Sequence, residues 1–301
     1  MRGDITVCVA TYKRPEGLER LLASLMEQET EGLVYRIVVV DNDAGGSARE
    51  VVRSFQSPGG VEISYDIEPV RGIARARNRC LRLAKGDFAA FVDDDEKVCG
   101  SWLKELYECL IKNDADAVLG PVAPALPAGC PLWIRKGGFF KRPEYPDNAP
   151  VVRGRTCNAL VKKKWLDLFE FPFDPGLGLT GDDDSDFFDR IRGLGARFHW
   201  AQNARVTEFV EKERLAVKWL LLRAFRGGQG FAARNRPQKL AGRLYHYGYR
   251  SCLCLISLAI SCCTLPFALH VSVAWLRRAS SNLGQVSVLF PYRYEEYRRR
   301  S

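Results

Sequence analysis

The chain has 301 residues, of which 47% are hydrophobic and 27% are charged, and its formal net charge is +9. These values are typical of a folded globular protein and exclude a largely disordered chain. Its ten cysteines show no CxxC spacing and lie in apolar segments, which predicts reduced thiols in a cytosolic protein without a zinc site or a disulfide framework. The first dozen residues run directly into a strand-like segment, so we expect no secretory signal.

The first hundred residues alternate between strand and helix patterns. Apolar runs rich in β-branched residues predict four strands, at 5–12, 36–42, 61–67 and 88–93. Apolar residues at helical spacing predict helices between them, at 16–28, 47–56 and 72–86. The strands are apolar throughout, as in parallel sheets that are covered on both faces. We therefore predict an α/β fold, doubly wound around a mostly parallel sheet.

Proline and glycine cluster between residues 120 and 150. This composition predicts a long irregular stretch, a mobile loop over a site rather than a domain linker. A helix at 184–194 and a short strand at 197–200 are expected to complete a globular body within residues 1–211.

Charge separates the two ends of the chain. Residues from 212 onward carry 16 Lys and Arg against 3 Asp and Glu, a net charge of +13, whereas the residues before them carry −4. A basic tail of this kind indicates nucleic acid or an anionic membrane surface as partner. Residues 252–276 contain no Asp, Glu, Lys or Arg and are long enough to cross ~30 Å of hydrocarbon. This favours the membrane over nucleic acid.

The arrangement of residues 252–276 in a membrane stays open at this stage. Arginines flank the run on both sides, so there is no positive-inside asymmetry. Pro266 lies near the middle, which makes a re-entrant or in-plane helical hairpin as compatible as a single span, and a buried core helix pair is a third alternative. Upstream, the run 215–226 (LAVKWLLLRAFR) is typical of a helix at the membrane interface. We predict a membrane-attached protein, with residues 212–301 as a basic, amphipathic and hydrophobic association region.

The run FAAFVDDDE (88–96) places four adjacent acids directly after a buried strand. Ligands of open α/β sheets bind beyond the carboxyl ends of the strands, and the first three strands also end in polar residues. Successive residues leaving a strand alternate in direction, so Asp93 and Asp95 are expected to face one point and Asp94 the other way. Carboxylate oxygens suit Mg²⁺ or Mn²⁺, which neutralises their mutual repulsion.

A second acidic cluster lies in GLTGDDDSDFF (178–188), at a glycine-rich turn that enters a helix. Its members are Asp182, Asp183, Asp184 and Asp186. One Asp satisfies the preference for an acid at a helix N-cap or in the first turn. Four suggest a second role, such as a general base.

Five segments together carry a resemblance to a known family. In order they are TVCVATYKRPEGLERLLASL, VVVDN, GIARARN, AAFVDDDE and GDDDSDFFDRI, and the resemblance covers roughly residues 4–230. In order and spacing they resemble a bacterial family 2 glycosyltransferase of the GT-A fold. The run VTEFVEKERL followed by KWLLLRAFRGGQG is similar to the exopolysaccharide-type members. The resemblance implies that residues 1–211 form a GT-A catalytic domain that binds a nucleotide-sugar. The QxxRW motif of processive synthases is absent, which argues for the addition of one sugar per encounter.

The resemblance also implies roles for individual residues. Thr11 and Asp41 would hold the nucleotide base, Asp41 accepting from a uracil N–H. Arg71 and Arg75 would approach the base or the diphosphate, and Asn78 would brace their helix. Asp93 and Asp95 match the DxD pair: Asp95 as a metal ligand, Asp93 as a ligand of the metal or the ribose. Asp94 is counted with the nucleotide-sugar-binding residues, and the catalytic base is assigned to Asp184, with Asp183 as the alternative.

These roles imply an inverting displacement that needs Mn²⁺ or Mg²⁺. A nucleotide-sugar, with UDP as the expected nucleotide, would give its sugar to a lipid-linked saccharide at the cytoplasmic face of the inner (plasma) membrane, in surface polysaccharide synthesis. Glu208 occupies the place where many GT-A enzymes carry a metal-binding histidine, which leaves the third metal ligand open. His199 is interpreted as structural. Arg223 and Arg226 could bind the diphosphate or a lipid phosphate, and a helix face exposed to solvent is an equally good interpretation of them.

Two alternative functions remain. A sugar nucleotidyltransferase also uses a doubly wound fold with paired acids, but it needs a glycine-rich and basic phosphate loop where this chain has ATYKRPEGL. A catalytically inactive relative that serves as a membrane scaffold is the other alternative, and the intact acidic clusters argue against it.

Overall fold

The structure is a computed structural model that describes residues 3–56, 60–178, 180–290 and 293–294. The described residues form two compact units, one made of residues 3–125 and 142–209 and the other of residues 126–141 and 210–294. Eleven strands lie within the described residues: β1 Gly3–Thr11, β2 Leu33–Asp41, β3 Ile63–Ile67, β4 Phe88–Val92, β5 Glu96–Val98, β6 Ala117–Leu119, β7 Val122–Ala125, β8 Pro150–Val151, β9 Asn158–Lys162, β10 Phe198–Trp200 and β11 Val206–Phe209.

Ten α-helices lie in the same part of the chain. They are α1 Pro15–Met26, α2 Arg49–Phe55, α3 Ile73–Leu83, α4 Trp102–Lys112, α5 Leu132–Gly137, α6 Lys163–Leu166, α7 Asp183–Gly193, α8 Val217–Arg234, α9 Leu240–Thr264 and α10 Leu269–Ser287. The helix and strand expected at 184–194 and 197–200 are therefore present as α7 and β10.

The first unit is built on an eight-stranded sheet with the order β3-β2-β1-β4-β9-β6-β10-β8. Strands β3, β2, β1 and β4 are parallel to one another, as the apolar runs predicted. Ile37 and Val39 of β2 pack in the core on one face, whereas Val38 and Val40 pack in the core on the other face. Alternating side chains of one strand thus enter two cores, which is why the run is apolar throughout. The predicted doubly wound α/β fold is confirmed.

Two features of this unit differ from the expectation. Strand β9 runs antiparallel between β4 and β6, so the sheet is mixed at its centre. A second sheet of three strands, β5-β11-β7, was not predicted because each of its strands has only three or four residues. The stretch 120–150 is not one irregular loop: it contains β7, an edge strand that includes Pro124, and α5, which begins directly after Pro131.

The second unit contains α5 and the three C-terminal helices. Both α8 and α9 pack against α10, and α5 packs against α10 as well. Residues 252–276 do not form one helix, because α9 ends at Thr264 and α10 begins at Leu269, with Pro266 between them. In the region 215–226, Leu220 is buried and Trp219 stacks on Phe140, so this segment is partly packed within the unit.

One helix among the described residues, α9, has the length and apolar composition to cross a membrane. Only 17% of its apolar window is buried, so it is not the core helix of a buried pair. The division of the chain at residue 211 into a catalytic and a membrane-association region stays a prediction.

Candidate active site

The carboxyl ends of β1, β2 and β4 meet at one edge of the large sheet. Thr11 lies opposite Asp41 at the end of the β1–β2 ladder, and β4 runs parallel to β1 on the other side. Residues that follow these strands are therefore brought together, as expected for a ligand site in an open α/β sheet.

Asp94 and Asp95 share one arginine. The Arg14 Nη1 donates to Asp94 Oδ1 at 2.9 Å and to Asp95 Oδ2 at 3.3 Å, and Thr11 Oγ1 donates to Asp94 Oδ2 at 2.9 Å. The expectation that Asp94 points away from Asp95 was wrong. The backbone turns after β4, with the Glu96 N–H bonded to the Asp93 carbonyl, so the alternation of an extended strand ends at Val92.

Burial changes the acidity of this carboxylate. It raises the pKa of Asp94 to about 6, because the opposing effect of Arg14 is smaller than the cost of desolvation. Asp94 is thus a buried acid that accepts hydrogen bonds from a hydroxyl and a guanidinium. These bonds fix the turn that also contains Asp95.

Arg77 of α3 joins the two acidic clusters. Its Nη1 donates to Asp183 Oδ2 at 2.9 Å, and its Nη2 donates to Asp93 Oδ1 at 3.2 Å. Asp183 is fully buried, and its Oδ1 has no hydrogen-bond partner among the residues that the structure describes. Burial raises the pKa of Asp183 to about 6, with the neighbouring charge of Asp184 adding to the shift and Arg77 opposing it. The carboxyl end of β4 and the first turn of α7 therefore form one site.

Asp184 is the more accessible acid at the start of α7. It is partly exposed, and its Oδ1 accepts the N–H of Ser185 at 2.6 Å. Its charge acts on both Asp93 and Asp183, since it contributes to raising the pKa of each. Burial is the main cause of the raised pKa of Asp93. The structure thus brings Asp93, Asp183 and Asp184 into one electrostatic neighbourhood.

A third arginine, Arg142, faces the acids of the small sheet. The β5–β11 pairing places Glu96 opposite Glu208. Arg142 donates to Glu208 Oε2 at 2.5 Å and lies 2.6 Å from Cys157 Sγ. Glu96 is fully buried, and its Oε2 accepts the Asp93 N–H at 2.9 Å. Burial raises the pKa of Glu96 well above its ordinary value.

Asp41 lies at the sheet edge but is enclosed by the protein. Its Oδ2 accepts from the Ala48 N–H at 2.7 Å and from the Tyr65 hydroxyl at 3.1 Å, and its Oδ1 accepts from the Asp43 N–H at 3.0 Å. Burial and the Asp41 charge raise the pKa of Tyr65 to about 12. These contacts hold the loop after β2, and the contact of Asp41 with a nucleotide base stays a prediction.

The segment RGIARARN is anchored at both ends. The Gly72 N–H donates to Asn42 Oδ1 at 2.8 Å, and the positive φ of Gly72, 144°, favours glycine at this turn. Asn78 exchanges two hydrogen bonds with the backbone of Phe173, of 2.6 and 3.1 Å, and so braces α3. The guanidinium of Arg71 lies 4.6 Å from the Tyr12 ring centre, and Arg75 is exposed.

The acids at the end of β4 fit a divalent cation that is shared with a phosphate ligand. Within the described parts of the chain, no three His, Cys, Asp or Glu side chains are arranged to enclose a metal ion. Asp93 and Asp95 nevertheless offer two oxygen ligands, and the Asp93 side chain is 37% exposed. Mg²⁺ and Mn²⁺ commonly take one or two carboxylates and complete their shell with phosphate and water. Such a donor set fits this pair better than an all-protein cage.

Sequence reasoning missed the three arginines of the site. Arg14 had a weak signal, as a basic residue between a strand and the proline that opens α1. Arg77 lies in the segment RGIARARN, where the resemblance assigned roles to Arg71 and Arg75 only. Arg142 follows an irregular stretch, where no pattern distinguishes it.

Comparison with known proteins places this geometry in a family. The model for Glycosyl transferase family 2 matches residues 6–167. The succinoglycan biosynthesis protein ExoM of Rhizobium meliloti (strain 1021) is 38% identical over 226 residues, which are 75% of this chain and 72% of ExoM. Several other curated relatives match over shorter segments, and the chain spans less than a third of their length.

Solved structures share the fold. The mannosyltransferase PcManGT from Pyrobaculum calidifontis, in complex with GDP-Man and Mn²⁺, superposes with a TM-score of 0.66 at 20% identity, covering 96% of this chain and 88% of that one. S. aureus TarS 1–349 in complex with UDP gives a TM-score of 0.54 at 17% identity, covering 97% and 94%. At these identities the likeness establishes a GT-A-like fold. Together with the family match over more than half of the sequence, it means that the chain belongs to glycosyl transferase family 2 and is a glycosyltransferase.

Proposed function

We propose that this glycosyltransferase moves a sugar from a nucleoside diphosphate donor, with UDP as the first candidate, to a lipid-linked saccharide in surface polysaccharide synthesis. The observation that carries the proposal is the position of Arg77, which holds Asp93 at the end of β4 and Asp183 at the start of α7. One acidic segment is then available to the donor and the other to the acceptor. The name of ExoM supports a role in polysaccharide synthesis.

Asp184 is the proposed general base. The acceptor hydroxyl must lose its proton as it attacks the anomeric carbon, and a positioned carboxylate accepts that proton. Asp183 is fully buried and already bonded to Arg77, whereas Asp184 is partly exposed. An incoming hydroxyl therefore reaches Asp184 more readily. One direct displacement inverts the anomeric configuration, and the lack of a QxxRW motif supports the addition of one sugar per encounter.

The donor side of the site would be held by the residues along the sheet edge. Arg71 lies just before α3 and Arg75 in its first turn, where their charges would bind the diphosphate. Thr11, Asp41 and Asp94 would shape the nucleotide pocket. A divalent cation, Mn²⁺ or Mg²⁺, held by Asp95 and Asp93 would neutralise the charge that develops on the leaving diphosphate.

The basic and apolar C-terminal unit would attach the enzyme to the cytoplasmic face of the inner membrane, where a lipid-linked acceptor is accessible. A catalytically inactive scaffold is the second candidate. The observation that favours it is the pairing of Asp94 and Asp95 with Arg14, which gives these two acids a counter-charge from the protein itself. The family assignment leaves no support for a sugar nucleotidyltransferase.

Calorimetry with purified protein tests the proposal. UDP-, GDP-, dTDP- and CMP-sugars are titrated with Mn²⁺, with Mg²⁺ or with EDTA. We expect one nucleotide to bind only with metal, and Asp95→Asn to weaken that metal-dependent binding more than about tenfold. Asp167→Asn, which removes an exposed acid paired with Lys163, serves as the control and should bind as the wild type does. If no donor binds with metal, the scaffold function takes the place of the enzymatic one.

A further inference from the structure

Within the second unit, α9 and α10 have the reverse of the usual distribution of polar and apolar side chains. The residues that α9 and α10 bury are mostly small or polar, whereas large apolar side chains of α9 face outward. The exposed ones near the end of α9 and in the turn that follows are Leu255, Ile256, Leu258, Leu265 and Phe267. Water-soluble proteins bury such residues, and interfaces of small residues with interhelical hydrogen bonds are typical of helices in lipid.

The α9–α10 contact illustrates this packing. Ser261 and Ser272 are both buried, and each hydroxyl bonds to the carbonyl of the other, at 2.9 and 2.8 Å. Further from the turn, Arg250 Nη1 lies 3.5 Å from Asn282 Oδ1. These two levels show that α9 and α10 run antiparallel, as the two arms of a hairpin.

The α8–α10 contact is equally close. A Cβ atom on Gly228 would overlap the Ser281 carbonyl oxygen, and a Cβ atom on Gly284 would overlap the Phe225 carbonyl oxygen. Ser280 Oγ also donates to the Leu221 carbonyl at 2.7 Å. The three helices therefore hold together without the large apolar side chains that α9 directs outward.

The uncharged part of each arm is shorter than a bilayer is thick, and α9 has the length of a span only together with the residues before Ser251, which include Arg243 and Arg250. In α9 it runs from Ser251 to Thr264, 14 residues or about 21 Å, and in α10 from Leu269 to Leu276, 8 residues or about 12 Å. The hydrocarbon core is ~30 Å thick, so each arm reaches only part of the way. The Arg250 and Arg277 side chains limit how deep the arms can enter.

The charge of this segment indicates the kind of surface it meets. Residues 214–294 contain 12 Lys and Arg and no Asp or Glu. Basic residues close to a bilayer are attracted to anionic lipid headgroups. A second copy of the same basic, acid-free segment would be repelled, which argues against a dimer through this face.

We propose that α9 and α10 form a hairpin that enters one leaflet of an anionic phospholipid bilayer, with the turn 265–268 at its deepest point and both ends on the same side. This rests on the membrane association proposed above and is independent of sugar transfer. Phe267, at 87% exposure, would lie deepest. The arginines before and after the uncharged run would lie at the headgroup level.

Liposome flotation with the full chain tests the depth of insertion. Vesicles of phosphatidylglycerol and phosphatidylethanolamine are compared with vesicles of phosphatidylcholine alone. We expect Phe267→Asp to lower partitioning into the anionic vesicles about a hundredfold, because a charge in hydrocarbon is costly. Leu240→Asp is the matched control: Leu240 is 71% exposed at the far end of α9 and should change partitioning by less than about twofold. Neither side chain is buried, so both variants should fold.

Sidedness tests the hairpin itself. Protease is added to spheroplasts and to inverted membrane vesicles of cells that produce the protein with a tag at each terminus. The hairpin predicts that both tags are cleaved in inverted vesicles and neither in spheroplasts. Tags on opposite sides would show that α9 spans the membrane and would overturn the hairpin alone. Wild-type protein that fails to float would overturn the membrane association. The proposed sugar transfer is tested separately, by metal-dependent donor binding in calorimetry. Equal flotation of Phe267→Asp and the wild type would also contradict the proposal.

Discussion

Arg77 and Asp183 form a buried ion pair, with 2.9 Å between Nη1 and Oδ2, although 106 positions separate them in the sequence. The pair joins α3, the helix between β3 and β4, to the first residue of α7. A buried pair of this kind is weak evidence for stability as such, but the loss of one partner leaves a charge without compensation. Its consequence here is the position of Asp184, which follows Asp183 directly.

Removal of the guanidinium should destabilise the fold. We expect Arg77→Met to lower the free energy of unfolding by about 3–5 kcal/mol, since Asp183 is then left buried and unpaired. Arg79→Met, on the same helix, removes the partner of the partly exposed Asp66 and should cost about 1 kcal/mol. Urea unfolding followed by circular dichroism measures both. Equal losses for the two variants would contradict the role of burial.

The raised pKa of Asp183 makes a specific contribution to the pH dependence of stability. Its pKa rises from 3.8 in the unfolded chain to about 6 in the fold, so the folded state binds the proton more tightly between these values. The contribution therefore stabilises the fold most at acid pH and is lost as the pH rises from about 4 to about 6.

Comparison with Asp183→Asn isolates this contribution. The difference in unfolding free energy, wild type minus variant, should fall by about 2–3 kcal/mol over that range and stay constant above it. Urea midpoints at a series of pH values provide the measurement. A difference that stays flat or increases with pH would mean that Asp183 is ionised in the fold throughout.

The base assignment predicts a kinetic defect without a structural one. Asp184→Asn should lower kcat/KM for sugar transfer by roughly 10²–10⁴-fold, because no carboxylate remains to accept the acceptor proton. Donor affinity and the unfolding midpoint should stay close to wild type. Asp189→Asn, which alters an exposed acid on the same helix, is the control and should retain full turnover. Normal turnover in Asp184→Asn would transfer the assignment to Asp183.

The ion pair between Glu208 and Arg142 bears on the third metal ligand. Because the Glu208 carboxylate is already paired with Arg142, we do not expect it to bind the metal. Glu208→Gln should therefore leave the Mn²⁺ concentration for half-maximal donor binding within about twofold of wild type. Asp95→Asn should raise that concentration more than about tenfold. Titration of donor binding with Mn²⁺ distinguishes the two. A large effect of Glu208→Gln would make this residue a ligand.

Several elements could be predicted because their signal is local. Strands β1, β2 and β4 contain apolar runs that lead directly into polar residues, and Asp93 to Asp95 follow one of them, so their place at the sheet edge came from the pattern of the chain alone. The break near Pro266 was also predictable, since proline lacks the N–H that a helix interior needs. The role of the acids in a glycosyltransferase depended on the order of five motifs together, which no single motif carried.

The sequence by itself thus determined the fold class, the family, the sheet edge that carries the acids and the apolar character of the C-terminal unit, because hydrophobic periodicity and motif order are properties of neighbouring residues. Only the tertiary structure decided that β9 runs antiparallel beside β4, that Arg14 turns Asp94 and Asp95 toward one point, and that Arg77 and Arg142 meet acids far away in the chain. Pairings of this kind follow from how the layers pack, and the residues that make them carry no local pattern that marks their partners.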